Sequence, residues 1–296
     1  RRVLFRSFIE SGGGPAANAA WLLGLWGEEV YYIGHLQQDL YGQRIIDEFA
    51  EAGVDTSQVV FSDDMITPLA SVLVNRLTGS RTIITRKMQT PPSLTYEQKL
   101  KLDDLAERLI ASEEPVTILI DGHEAEISEY LIKKLPNARV VMDGGSLRAS
   151  NIKLAAWTDY FVVSEHFARD YMSYRSLSTE AEIKAALIEL NKICRGEAFI
   201  TLGEKGCAFL KSGMLQIVPS WLCNAVDTTG AGDVFHGAFT YGVHYSWHID
   251  NIILFASLTA AISIEKKGVR ESMPDLAVVH HSLNSYERNL TQYFEE

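Results

Sequence analysis

Residues 227–233 read Asp227-Thr228-Thr229-Gly230-Ala231-Gly232-Asp233, and the chain runs on as Val234-Phe235-His236-Gly237-Ala238-Phe239. Taken alone this is a helix start, because Asp and Thr cap free N–H groups and glycine admits unusual backbone angles. Three features point further. The segment 234–245 carries Phe235, Ala238, Phe239 and Tyr241, which predicts a buried helix. The N-terminus of such a helix presents open backbone N–H groups and the positive end of its dipole, so a Gly-Ala-Gly entrance is an anion site. Asp233 sits just inside it. A carboxylate facing an anion is repelled, and proton abstraction beside a phosphate gives it a reason to be there.

A mechanism follows from those residues. The N–H groups of 230–232 would hold a γ-phosphate while Asp233 takes the proton of an attacking hydroxyl. Phosphoryl transfer leaves the protein mostly positioning and electrostatic work. An oxyanion donor contributes about 10²–10³ in rate, and a general base about 10²–10⁴.

The stretch 227–233 resembles the C-terminal signature of the ribokinase-like (PfkB) carbohydrate kinases. The resemblance implies that Asp233 is the catalytic base and that Gly230, Ala231 and Gly232 form the anion hole. A second match lies at Ser11-Gly12-Gly13-Gly14-Pro15-Ala16-Ala17-Asn18-Ala19-Ala20, which resembles the family's N-terminal Gly-Gly-x-x-x-Asn-x-Ala. It implies sugar contacts from Gly13, Gly14 and Asn18, where bare glycine backbone admits a polar ligand and an amide both donates and accepts. By itself that stretch is also a glycine loop opening a helix.

The likeness continues along the chain. Tyr32-Ile33-Gly34 to Gly42 and Ala52-Gly53-Val54-Asp55 look like the family's early strand and helix. Thr201-Leu202-Gly203-Glu204-Lys205-Gly206 resembles its nucleotide loop, implying that Thr201, Gly203 and Gly206, together with Thr228, approach ATP; as a bare pattern it also reads as a hairpin turn. The family's Asn-x-x-Glu, tied to Mg²⁺ and phosphate, is replaced by Ser164-Glu165-His166-Phe167, so Ser164 and Glu165 are its candidate substitutes. The family often binds a monovalent cation such as K⁺ beside the anion hole, and the backbone of Asp227 and Thr229 is the candidate here, with the loop Lys267-Gly268 to Ser272. Small residues of 257–263 are expected at the adenine. Arg86 and His123 are candidate substrate contacts, each weighed against an ordinary surface role.

The remaining sequence agrees with an α/β fold. Short apolar runs at 116–120, 139–142, 160–163 and 198–201 end in Asp121-Gly122-His123, Asp143-Gly144-Gly145, Ser164-Glu165 and Leu202-Gly203. Runs without polar alternation suit strands buried on both faces, as in a parallel sheet. Helical spacing at 96–110, 125–134 and 180–193 alternates with them, implying βαβ units. Ligands then bind beyond the carboxyl ends of the strands. Residues 70–86 read as a hairpin, and 206–226 as short strands with Gly213 in a turn. Asp250 is the expected cap of a helix through 264, and Val279, Leu283, Tyr286, Leu290 and Tyr293 predict a last helix. The expected architecture is a single ribokinase-like domain over 1–296: a mostly parallel sheet flanked by helices, with a small β lid around 6–10 and 57–86 that could be shared in a homodimer. The first signature begins about eleven residues from the start, where the family places a strand and lid strands, so a segment near residues 5–6 is expected to be absent or the lid shortened.

Composition narrows the function. A net charge of −11 over 296 residues argues against nucleic-acid and anionic-membrane surfaces, which need clustered Lys and Arg. No run approaches a membrane span of about 20 residues, and the start does not look like a signal peptide. Three cysteines without metal spacing suit a reducing, cytoplasmic setting. The glycine spacing at 230, 232 and 237 is not the dinucleotide pattern, and no Walker A loop is present. The resemblance therefore implies an ATP-dependent kinase acting on an alcohol group of a small sugar, ketose-type favoured, with Mg²⁺. The alternatives are a nucleoside or vitamin-precursor kinase of the same fold, or a catalytically silent sugar-binding regulator, whose expected mark would be loss of Asp233 or the glycines.

Overall fold

Four apolar runs of the sequence become four neighbouring parallel strands in a computed structural model, which describes residues 10–63, 65–74, 81–86 and 91–284. In chain order the elements are α1 (Pro15–Leu25), β1 (His35–Leu36), α2 (Leu40–Glu51), β2 (Val60–Phe61), β3 (Ala70–Val74), β4 (Arg81–Thr85), α3 (Tyr96–Ala111), β5 (Thr117–Ile120) and α4 (Ala125–Lys134). They continue as β6 (Arg139–Gly144), α5 (Ala149–Ala155), β7 (Tyr160–Ser164), α6 (Glu165–Tyr171), α7 (Glu180–Asn191), β8 (Glu197–Thr201), β9 (Cys207–Lys211), β10 (Met214–Val218), α8 (Ala231–His244) and α9 (Ile249–Ser263). A further helix covers 276–284; the predicted continuation through Tyr286, Leu290 and Tyr293 lies outside the described residues, as does most of the expected 6–10 lid element and the region around residues 5–6.

The main sheet has the order β10-β9-β8-β7-β6-β5. β5 to β8 pair in parallel, and β9 and β10 add an antiparallel hairpin at one edge. The absence of polar alternation has a direct cause. Successive side chains point to opposite faces, and both faces are covered. Val141, Val162 and Phe199 join a core with α1, α8 and α9. Their neighbours Val140, Met142, Phe161, Val163 and Ile200 join a second core against α5, α6 and α7. Each fully buried Phe or Leu contributes about 1.5–3 kcal/mol.

Local signals fix the helices. Thr95 with Gln98 and Thr179 with Glu182 form reciprocal capping boxes at the starts of α3 and α7, each satisfying two otherwise unpaired N–H groups. Asp250 departs from expectation. α9 begins after His248, with no side-chain cap, and Asp250 lies in its first turn. Its carboxylate accepts from Lys211 Nζ at 2.9 Å, so an ion pair to β9 takes the place of the cap.

Two small sheets stand apart. β1 and β2 pair in parallel, and β3 and β4 form the antiparallel hairpin expected over 70–86. Among the described residues no helix is long and apolar enough to cross a membrane.

The packing of α1 on α8 decides where the site forms. A side chain at Gly237 would lie 3.1 Å from Leu22 Cδ2 and 3.2 Å from Ala19 Cα. The bare glycine lets the two helices approach closely, which carries the N-terminal glycine loop to the start of α8.

Candidate active site

The two sequence signatures meet. Asn18, on the first turns of α1, donates from Nδ2 to Asp233 Oδ2 at 2.6 Å. Asn18 is buried, and its backbone N–H donates to Gly14 O at 2.8 Å. Gly13 and Gly14 lie in the loop just before α1, with Gly14 at the N-cap.

Gly230 caps α8 in the left-handed conformation, φ 75° and ψ 2°, with no side-chain cap. Any Cβ there would also meet Val269 Cγ1 at 2.4 Å, so only glycine makes this entrance. Val234 N–H takes up Gly230 O at 2.9 Å, and Ala231 N–H reaches Thr228 O at 3.4 Å. The N–H groups of Gly232 and Asp233 have no partner among the described residues. A Cβ on Gly232 would have nothing within 4 Å. The result is an open cradle of donors at the positive end of a buried helix.

Asp233 lies beside that cradle. Burial pushes its carboxyl up to about 6, and the charge of Asp143 acts in the same direction. The Asn18 hydrogen bond and the charge of His236 oppose the rise. A carboxylate near this value is a stronger base than an exposed one and is still ionised at neutral pH.

The turn before the helix is tied by its own side chains. Asp227 Oδ1 accepts from the Thr229 N–H at 3.1 Å and from Thr229 Oγ1 at 2.7 Å, and its Oδ2 accepts from the Gly268 N–H at 3.3 Å. Thr228 is exposed beside it. This joins the anion loop to the 267–272 segment.

That segment brings in a residue the sequence reading did not single out. Arg270 is buried under the glycine loop and donates from Nε to Asn18 Oδ1 at 3.4 Å and from Nη1 to Glu48 Oε2 at 2.6 Å. The same Glu48 oxygen accepts from the Gly12 N–H at 2.7 Å. The Arg270 guanidinium lies 5.1 Å above the Phe49 ring, and its Nη2 is buried with no partner among the described residues. Asp233, Asn18, Arg270, Glu48 and Gly12 thus form one connected polar chain. Asp121, which the sequence places at a strand end without a role of its own, also reaches this region. At the end of β5 its carboxylate accepts from the Ala16 N–H at 3.3 Å and the His123 N–H at 2.9 Å. The available signal was position alone, an acidic residue at the carboxyl end of a parallel strand.

Other predicted residues fall around the sheet's carboxyl end. Ser164 and Thr201 are register partners on β7 and β8. Ser164 Oγ caps α6 by accepting from the Phe167 N–H at 3.0 Å and donates to Gly145 O at 2.9 Å, and Glu165 opens that helix. Thr201 Oγ1 reaches Val163 O at 3.4 Å. Gly203 and Gly206 form the turn from β8 into β9, so the nucleotide-loop pattern is also a strand connection. His123 touches Asp121 through its backbone. Arg86 lies exposed beyond β4, its N–H on Leu69 O at 2.9 Å. Neither side chain is joined to the Asn18–Asp233 centre. Ser257, Thr259 and Ser263 are buried on α9. No disulfide joins the three cysteines; Cys207 is buried, Cys194 and Cys223 partly so.

The chain is similar to known proteins over most of its length. The Lactococcus lactis ribokinase is 28% identical over 289 residues, covering 97% of this chain and 91% of that protein. The rice fructokinase-2 is 23% identical, covering 94% and 86%. Among solved structures, the Giardia lamblia ribokinase superposes with a TM-score of 0.79 at 20% identity, covering 96% and 92%. The Arabidopsis thaliana ribokinase complexed with ribose and ATP gives 0.75 at 21%, covering 91% and 86%. A model of the pfkB family carbohydrate kinases matches residues 2–276, and the chain belongs to that family.

Proposed function

We propose that this carbohydrate kinase transfers the γ-phosphoryl group of ATP to a hydroxyl of a small sugar, with ketose-type sugars favoured. The observation that carries the reading is the 2.6 Å contact between Asn18 and Asp233 at the open start of α8. A sugar-recognising amide and a base of raised pKa there share one point with unpaired anion donors. In this reading Gly13, Gly14 and Asn18 orient the sugar, and Asp233 accepts the proton of the attacking hydroxyl. The backbone of Gly230, Ala231 and Gly232, with the Asp233 N–H, receives charge on the phosphoryl oxygens. Thr201, Gly203, Gly206 and Thr228 face the nucleotide. Arg86 and His123 contact the acceptor only after they move toward the centre.

Mg²⁺ would be held mainly by the substrate phosphates and would supply neutralisation of the developing charge. Glu165, beside Ser164, is the carboxylate we assign to its water shell. The tied turn at Asp227 and Thr229 is the candidate seat of K⁺, through backbone carbonyls. The chain works as one domain in the cytoplasm, and the β3–β4 hairpin serves as the lid and as the contact of a homodimer.

The test is ADP release from Mg-ATP across D-ribose, D-fructose, other ketoses, aldoses, sugar acids and nucleosides, with and without K⁺, beside Asp233→Asn. One sugar class should stimulate release and the variant should lose most of it. Stimulation by nucleosides alone, or nucleotide binding without turnover on any acceptor, would overturn the sugar kinase reading.

A further inference from the structure

Directly behind the anion cradle lies a buried ion pair that the mechanism above does not use. His236 stands one turn after Gly232 on α8, and Asp143 lies at the carboxyl end of β6. Their side chains are 3% and 4% exposed. His236 Nδ1 is 2.7 Å from Gly232 O and 3.1 Å from Asp143 Oδ2, and Nε2 is 3.3 Å from Val162 O. All three partners are acceptors. A ring nitrogen without a proton would face each of them lone pair to lone pair, so this set of partners is satisfied only when both nitrogens are protonated.

We propose that His236, held as an imidazolium by Asp143, is a positioning residue for phosphoryl transfer: it polarises the Gly232–Asp233 peptide and keeps the Asp233 carboxylate ionised. Gly232 C=O and Asp233 N–H belong to one peptide group. A charged donor on the oxygen withdraws electrons through the planar amide and makes the N–H at its other end a stronger donor. That N–H is one of the open donors of the cradle.

The charges around the site give the same direction. Asp233 on α8, Asp143 on β6 and Asp121 after β5 bring three carboxylates to a place that must also take a phosphate. Burial pushes the Asp143 carboxyl up, and the charges of His236 and then of Arg148, before α5, oppose that rise, while Asn18 on α1 offers a neutral donor to Asp233. His236 is the cation in contact with Asp143. It offsets the carboxylate that otherwise pushes Asp233 toward protonation. A buried charge needs such a partner.

The first readout rests on no assumption about activity. In histidine ¹⁵N-labelled protein without ligands, both His236 ring nitrogens should carry protons at pH 7, as their three acceptor partners require. In aspartate ¹³C-labelled protein, with Asp233 assigned through Asp233→Asn, His236→Asn should raise the Asp233 titration midpoint by roughly one unit, the effect of one close charge. Asn retains a donor for Gly232 O without the charge. Asp143→Asn should leave one His236 ring nitrogen without its proton at pH 7, and carries the test if His236→Asn does not fold. The kinetic arm rests on the kinase reading and uses the best acceptor of the sugar panel. There His236→Asn should move the acid limb of kcat upward by the same amount and lower kcat about tenfold at neutral pH, with KM for the acceptor within about twofold. An unprotonated His236 nitrogen at pH 7, an unmoved Asp233 midpoint in His236→Asn, or two protonated His236 nitrogens at pH 7 in Asp143→Asn would overturn the proposal. If no acceptor turns over, the kinase reading fails while the ¹⁵N and ¹³C spectra still decide this one.

Discussion

Asp233→Asn should make the enzyme almost inactive and, at neutral pH, more stable. The carboxyl is raised from 3.8 to about 6, so the folded state holds its proton more tightly than the unfolded chain. A group shifted this way favours the fold fully below its unfolded value, and that advantage is lost as pH rises through the folded value. At pH 7 the ionised Asp233 therefore opposes folding, by ~3 kcal/mol at about 1.36 kcal/mol per unit. Asn carries no charge and can still accept from Asn18 Nδ2, so most of that opposition should vanish. A chain of this size gains roughly 2 °C per kcal/mol, so the ligand-free variant should melt up to about 6 °C higher at pH 7. The difference should shrink as pH falls through about 6 and vanish below about 3.8, where Asp233 is protonated in both states. Over the same change kcat should fall by about 10²–10⁴. Thermal melts at a series of pH values, read beside ADP release, measure both. A variant that is no more stable at pH 7, or whose advantage does not depend on pH, would refute the assignment of Asp233 as a buried base of raised pKa.

Gly230→Ala should cost about 2–3 kcal/mol, since the left-handed backbone disfavours a side chain and the new Cβ would press on Val269; it should lower kcat through the distorted cradle, and an unchanged melting temperature would count against that picture. Arg270→Met removes a charged hydrogen-bond partner of Glu48, which keeps Arg44 and the Gly12 N–H, and should cost about 1.5–3 kcal/mol, with a higher KM for the sugar as the 12–14 loop loosens, whereas Glu48→Gln, which still accepts from Gly12, should be milder; chemical denaturation and initial rates compare the two. Cys207 is buried, with its thiol pushed up by desolvation, so it should resist a thiol reagent in the native protein and react only on unfolding; rapid native labelling at Cys207 by mass spectrometry would contradict the packing of β9.

Much of the fold was legible because its signals are local. The runs at 116–120, 139–142, 160–163 and 198–201 record burial on both faces, and Thr95-x-x-Gln98 and Thr179-x-x-Glu182 record how a helix satisfies its first N–H groups. Asp250 shows the limit of such signals. Its residue type suits a cap, yet Lys211, 39 positions away, offers the carboxylate a charged partner that no local pattern announces.

The same division holds at the site. The sequence by itself determined the Gly-Ala-Gly-Asp entrance to α8, because glycine backbone, helix dipole and adjacent carboxylate are properties of seven consecutive residues. It also determined the glycine loop that opens α1. Only the tertiary structure decided that Asn18 and Asp233, 215 positions apart, share a hydrogen bond. It likewise paired Arg270 with Glu48 across 222 positions and His236 with Asp143 beneath the cradle. Those contacts depend on how closely α1 approaches α8 at Gly237 and on which strand end each helix start overlies. Periodicity and propensity register whether a side chain is buried, while the identity of its partner is set by the packing of elements far apart in the chain.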